Sequence, residues 1–354
     1  MQLPIRQQGR ASLEFLGSLS GYTGGTLLKR ARAQYDAQAD ASEVGPAFQE
    51  KVHYAQEIVG DSKEYRYDRL ITRFVAENKE RVSALALEPI AAEVEAEMAR
   101  RDAEGGTLEL NPDLDLPRYW SETEFHLTPG GWRGHPMLGT LLHEMVYPYI
   151  FLPGGVGAVK TGANLDTQRR SIAQQARKSS YRRILEPGSG TGRYLEALQQ
   201  TFPDAQVVGV ELSEPLLRYS HFLAAELGYS WELRQAPAEA TGYPDASFDL
   251  VSIYTLLHEV PPQATNAIVG EAYRVLEPGG ELVIGDVAPY SQQDPFQTLV
   301  MDWETENRNE PFWRGALLLD RVAILRGAGF VDVEEYAGGP GNYPWVTRAV
   351  KPGV

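Results

Sequence analysis

Residues 183–186 read as a short strand that runs into Glu186-Pro187-Gly188-Ser189-Gly190-Thr191-Gly192, and a helix follows over 191–201. Three glycines at alternate positions leave peptide atoms, rather than side chains, at the tip of that strand, where a ligand can approach closely. A strand, a glycine loop and a helix in this order start an open parallel sheet whose ligands bind beyond the C-terminal strand ends. The pattern continues after the loop. We predict strands over 206–211, 231–236, 248–254 and 282–287, with helices over 215–227, 264–276 and 317–327. Closing strands over 331–336 and 344–350 flank the turn Gly338-Gly339-Pro340-Gly341-Asn342, which pairs them antiparallel.

The N-terminal half has helical periodicity from about Gly25 to Arg101. Leu27, Leu28 and Ala31 begin one amphipathic run, and Phe48, Val52, Ala55 and Ile58 form another. In a third, Tyr67, Leu70, Ile71, Phe74 and Val75 recur at three- and four-residue spacing as the apolar stripe. Pro89 interrupts that run, and Gly105-Gly106 ends the next helix. Residues 107–165 hold many prolines and glycines and 119–151 are dense in aromatics, which suggests a bridge, a lid over a site or an irregular part of the N-terminal core. We therefore divide the chain into a helical N-terminal domain (1–118), an aromatic-rich connecting or lid segment (119–178) and an α/β domain (179–354). The expected fold class is α/β, with a Rossmann-like, seven-stranded, mostly parallel sheet, an antiparallel last strand and the N-terminal helical domain.

The 354 residues carry a formal charge of -15 and no cysteine. Such an acidic surface repels phosphate backbones and anionic lipid, so we expect neither nucleic acid nor membrane as a partner. Without cysteine there are no disulfides or thiolate metal sites, as suits a reducing cytoplasm. The first residues lack a basic-then-apolar run, so we expect no secretory leader. The most apolar stretch, 145–158, is too short to span a bilayer and contains Pro148 and Pro153. The expected partner is a small-molecule acceptor, with a homodimer through the N-terminal helices as a further option.

The loop spacing is G-x-G-x-G, whereas pyrophosphate-binding dinucleotide folds use G-x-G-x-x-G. S-adenosylmethionine has no phosphate; Glu186 can face its cationic methionine end, and the glycines make room for it. Glu211, at the end of the second strand, can accept hydrogen bonds from both ribose hydroxyls. Residues 180–350 closely resemble the class I S-adenosylmethionine-dependent methyltransferase family. The resemblance rests on ILEPGSGTG, VVGVELS, YPDASFDLVSIYTLLHEVP and EAYRVLEPGGELVIGDV. It implies a cofactor site of Glu186, Gly188, Ser189, Gly190, Gly192, Glu211, Leu212, Ala238, Glu239 and Tyr254. Many members have an aspartate for the adenine amino group where this chain has Pro237, so Glu239 or a backbone carbonyl takes that contact here.

Methyl transfer requires alignment, exclusion of water and, for a protonated nucleophile, a base. His258 follows the fourth strand at the pocket and is either that base or part of the lining; its segment resembles the catalytic-histidine region of plant-type phenolic O-methyltransferases, with Glu259 where those have aspartate. Trp132, His143, Glu259, Tyr290 and Trp303 are the candidate acceptor contacts, and Trp313 lies in the same region. His135 and His143-Glu144, with His126 nearby, have no standard metal-ligand spacing, so no metal is expected. The reading is methyl transfer to a small metabolite, on oxygen by preference. Carbon or nitrogen methylation and a non-methylating cofactor-binding role remain alternatives.

Overall fold

The computed structural model describes residues 3–151 and 164–353; the end of the 145–158 apolar stretch and part of the expected lid lie outside them. Five helices open the chain: α1 (Gln7–Tyr22), α2 (Leu28–Gln38), α3 (Phe48–Val59), α4 (Lys63–Leu87) and α5 (Ala91–Arg100). Strand β1 (Gly106–Glu109) and the short helices α6 (Arg118–Ser121), α7 (Leu138–Leu141) and α8 (Leu165–Ala173) come next. The alternating part runs β2 (Arg183–Pro187), α9 (Arg193–Thr201), β3 (Gln206–Glu211), α10 (Glu214–Leu227), β4 (Trp231–Gln235), β5 (Phe248–Tyr254), α11 (Pro262–Val275) and β6 (Leu276–Asp286). It closes with α12 (Pro295–Asn307), α13 (Trp313–Leu317), α14 (Arg321–Gly327), β7 (Val331–Ala337) and β8 (Trp345–Val350).

The strand order is β1-β4-β3-β2-β5-β6-β8-β7, with β8 antiparallel to both of its neighbours and the other pairs parallel. β2, β3 and β5 are nearly continuous apolar runs because both sheet faces are covered. Ile184, Val207, Leu250 and Val283 pack under α9 and α10, while Leu185, Val208, Val251 and Ile284 pack under α11 and α14. The chain builds outward from β2 to β4, then returns to build from β5 to β6. The crevice above β2 and β5 is therefore the topological switch point.

Three expectations need correction. The sheet has eight strands, because β1 from the N-terminal half pairs parallel with β4, Gly106 opposite Trp231. Gly106 thus opens a strand instead of ending a helix, and α5 already stops at Arg100. Its φ is +95°, and a Cβ there would lie 2.2 Å from the Trp231 carbonyl oxygen, so only glycine allows this approach. Strand β6 also begins at Leu276, ahead of the expected 282, and Glu277-Pro278-Gly279-Gly280 shifts its register: Phe248 pairs with Leu276, but Leu250 pairs with Glu281.

The third correction concerns α4: Val75 of its apolar stripe is buried and Ile71 half-buried, but the rest of the stripe is exposed and a polar row is buried in its place. Tyr67, Leu70 and Phe74 are exposed, and Asp68, Arg69, Thr72, Lys79, Glu80 and Ser83 are buried. Periodicity detects a stripe of one polarity but cannot tell that a polar stripe has partners. Here it does. Arg69 Nε donates to Asp68 over 2.9 Å, and Lys79 Nζ donates to the His126 carbonyl over 2.7 Å and contacts Glu80 at 2.9 Å. Helix α1, which the sequence reading left out, packs along α4 and buries Leu13 and Leu16.

Removing one partner from a buried ion pair leaves the other charge uncompensated. Lys79→Ala should therefore destabilise the fold by about 3–5 kcal/mol in urea unfolding. A cost below ~1 kcal/mol, typical of surface sites, would show that this stripe is not buried.

Candidate functional site

A cavity of about 260 Å³ opens at the switch point. One half of it is built on the glycine loop. Gly188, Gly190 and Gly192 have φ of 70°, 54° and 82°, and the amides of Gly188 and Ser189 donate to the Val210 carbonyl over 2.7 and 3.0 Å. The Glu211 carboxylate accepts from the Gly190 amide over 3.0 Å and from the Ser213 amide over 2.9 Å, which ties the loop to the end of β3. Burial nevertheless raises the Glu211 pKa against these bonds.

Of the candidate cofactor residues, Glu186, Gly188, Ser189, Gly190, Glu211, Leu212, Ala238, Glu239 and Tyr254 line this cavity. Gly192 does not. It caps α9 in a left-handed conformation, and a Cβ there would meet Ser220 Oγ at 2.5 Å, so it serves packing. Glu239 accepts from the Tyr119 hydroxyl over 2.6 Å, leaving Oε2 buried without a partner. Glu186 is fully buried, Oε2 has no partner, and burial pushes its pKa well up.

The acceptor side differs more from expectation. His258, Glu259 and Trp132 line the cavity, and Trp313 does too. The other three candidates point away from it. His143 stacks on Tyr219, with ring centroids 4.7 Å apart. Tyr290 is buried against Phe48 and donates its hydroxyl to Asp302 over 3.2 Å, within the core that joins α2 and α3 to α12. Trp303 turns toward α4, where the Arg69 guanidinium sits 4.7 Å from its ring.

Sequence reasoning missed other residues of the wall, above all Arg169, Arg193, His126, Arg308 and Glu310. Arg169, on α8, is buried beside Tyr147 and Tyr254, with its guanidinium 5.7 and 5.9 Å from their rings. The only available signal was the amphipathic run at 165–173, which says nothing about ligands.

His258 is held from both sides. Its Nδ1 donates to Asp286 over 2.6 Å, and its Nε2 lies 3.5 Å from Glu259 Oε1. Asp286, at the end of β6, also accepts from the amides of Leu257 (2.9 Å) and Val287 (2.7 Å), so it fixes the loop that carries the histidine. That loop starts at Thr255, whose left-handed φ of 53° is strained for a β-branched residue. Beyond Glu259, His126 Nε2 contacts Glu259 Oε1 at 2.8 Å, and its Nδ1 contacts Glu310. Asp286, His258, Glu259, His126 and Glu310 thus alternate carboxylate and imidazole along one buried wall. Burial opposes charge on both rings, but the flanking carboxylates outweigh it; they raise the His258 pKa well above its ordinary value and push His126 up to about 9.

Comparison with known proteins now has a geometry to refer to. Residues 184–280 match the family model of a methyltransferase domain. The demethylmenaquinone methyltransferase of Thermus thermophilus is 34% identical over 128 residues, covering 36% of this chain and 57% of that one. A ubiquinone/menaquinone biosynthesis C-methyltransferase of Desulfotalea psychrophila is 29% identical over 181 residues, covering 47% and 72%. The ubiquinone biosynthesis O-methyltransferase of Pseudomonas fluorescens is 30% identical over 108 residues, covering 30% and 44%. Residues 184–280 are thus similar to a methyltransferase domain, and these relatives match the chain around it. The chain spans little more than half the length of the first of these relatives.

The family's cofactor is S-adenosylmethionine, and the residues present fit it. A buried carboxylate with a free oxygen (Glu186), beside glycines that leave space, suits a cationic amino-acid end, and Arg169 suits its carboxylate. Glu239 Oε2, also buried without a partner, lines the same cavity.

The unpartnered Glu186 carboxylate makes a prediction with two opposite signs. Glu186→Gln should weaken S-adenosylmethionine binding about 10–100-fold in calorimetry, the loss of one charge-assisted hydrogen bond. It should also raise the melting temperature of the ligand-free protein, because a desolvated charge is removed. A variant that bound as tightly as the parent would take Glu186 out of the cofactor site.

Proposed function

We propose that the protein transfers the methyl group of S-adenosylmethionine to a hydroxyl oxygen of a small metabolite. The observation that carries this reading is the Asp286–His258 pair on the wall facing the glycine-loop side of the same cavity. The cofactor supplies a methyl group on a positively charged sulfur, and the chain supplies everything else. Glu186, Arg169 and Glu211 orient one partner, while Trp132 and Trp313 offer aromatic faces to the other. Asp286 fixes the ring of His258 through Nδ1, and Nε2 takes the acceptor proton only in the deprotonated ring, so turnover should rise with pH toward the raised pKa of that histidine.

The aromatic segment supports small-molecule chemistry, because it closes the cavity with rings instead of a basic groove. Tyr119, Trp120, Trp132 and Tyr147 all line the cavity. We read residues 119–151 as a cover that excludes water, and residues 3–118 as the body that carries it. Among the described residues, no helix is long and apolar enough to cross a membrane. The exposed row of Tyr67, Leu70 and Phe74 on α4 supports self-association through the N-terminal helices. A mass of one chain by light scattering at micromolar concentration would end that part of the reading.

Two measurements test the main reading. Incubation with S-adenosylmethionine and a panel of phenolic and enolic acceptors should release S-adenosylhomocysteine in step with a product heavier by one methylene. His258→Ala should lower turnover about 10²–10⁴-fold, the usual share of a general base, and leave cofactor affinity unchanged. Full turnover in that variant would remove the base and favour a carbon or nitrogen acceptor.

A further inference from the structure

The wall of the acceptor half contains a group of side chains that methyl transfer does not use. His126, Glu259 and Glu310 come from three separate segments: the turn after α6, the loop after β5 and the end of the α12 region. Each can offer one donor atom such that all three lie within 4.8 Å of one another. All three line the cavity.

Their present pairing is incomplete. His126 spends Nε2 on Glu259 and Nδ1 on Glu310, yet Glu259 Oε2 and Glu310 Oε2 remain buried with no hydrogen-bond partner. Glu310 is 1% exposed, so water does not satisfy it. One imidazolium also leaves the trio one negative charge in excess. The backbone of His126 is itself strained, with φ of 56°, and is held there by Lys79 Nζ at its carbonyl over 2.7 Å. Structure is being used to aim this ring.

We propose that His126, Glu259 and Glu310 form a binding site for a divalent first-row metal ion, open toward the acceptor half of the cavity. One imidazole nitrogen and two carboxylates are a donor set suited to manganese, iron or zinc. The ion takes the place of the imidazole proton, which leaves to solvent, and two positive charges then balance two carboxylates. The second ring N–H stays with the carboxylate on its side, which gives one oxygen to that bond and its other, now unpartnered, oxygen to the ion. The open side is where an acceptor oxygen coordinates; that part rests on the methyl-transfer reading, whereas ion binding itself does not.

The test uses the full chain, stripped with chelator and titrated with Mn²⁺ alone and with Zn²⁺ alone. The free-ion signal of Mn²⁺ in electron paramagnetic resonance should disappear with a stoichiometry of one ion per chain. His126→Gln and Glu310→Gln should each weaken binding at least tenfold, and Glu306→Gln, at an exposed acid, should bind as the parent does. Should either wall variant fail to fold, the unaltered chain still decides. Substoichiometric Mn²⁺ should broaden the imidazole resonances of His126 and His258 ahead of that of the exposed His53. Broadening of His53 first, or no saturable binding of either ion, overturns the site. Cofactor binding and turnover followed in the same samples separate the two readings: no ion binding with turnover intact defeats the metal site alone, and ion binding without any methyl transfer defeats the proposed function alone.

Discussion

The structure depends on how it handles charge withdrawn from water. A buried carboxylate or imidazolium is costly unless a partner of opposite sign meets it. This molecule gathers such groups at one place. Asp286, His258, Glu259, His126 and Glu310 follow one another by direct contact, and Glu304 with Arg308, 2.6 Å apart, lines the same cavity. Water cannot substitute there, so each group has to be held in position by its neighbours. This requirement brings the N-terminal helices into contact with the α/β part.

Helix α4 shows how. Its polar stripe faces inward because the cavity wall needs it: Lys79 holds the His126 carbonyl, Thr128 Oγ1 donates to Glu80 over 2.8 Å, and Arg69 lies 3.9 Å from Glu304. Tyr67, Leu70 and Phe74 of α4 are left exposed, while Val75, Ala86 and Leu87 stay in the core. Helix α4 is thus part of the acceptor wall's support, and β1 adds a second bond between the halves by extending the sheet past β4.

The cofactor half was legible in the sequence for a physical reason. Its residues sit in the loop after β2, at the tip of β3 and in the turn after β4, and each of those positions is dictated locally by strand, turn and helix signals. Nine of the ten cofactor candidates line the cavity; Gly192 fails because a glycine can be required for packing as well as for a ligand. The acceptor half was far less legible. His126 and Glu310 are 184 positions apart and meet only through tertiary structure. No periodicity signals a polar stripe that is buried because it is paired, and so the buried face of α4 was read only in part. His143, Tyr290 and Trp303 were chosen for chemistry, but their side chains serve cores and stacking instead.

The two halves are also fastened differently, and this bears on access. Contacts that tie the aromatic segment to the cofactor side include Tyr119 to Glu239, Ser213 Oγ to the Trp132 carbonyl, and Arg193 Nη2 to the His143 carbonyl at 2.9 Å. Each joins a residue of 119–151 to an element that lines the cofactor half. Glu239 spends Oε1 on the Tyr119 hydroxyl and keeps Oε2 free, so a ligand amino group can bond Oε2 without breaking that tie. A ligand there and the aromatic segment would then share one carboxylate. Its second oxygen, free in this structure, is what lets both be satisfied together.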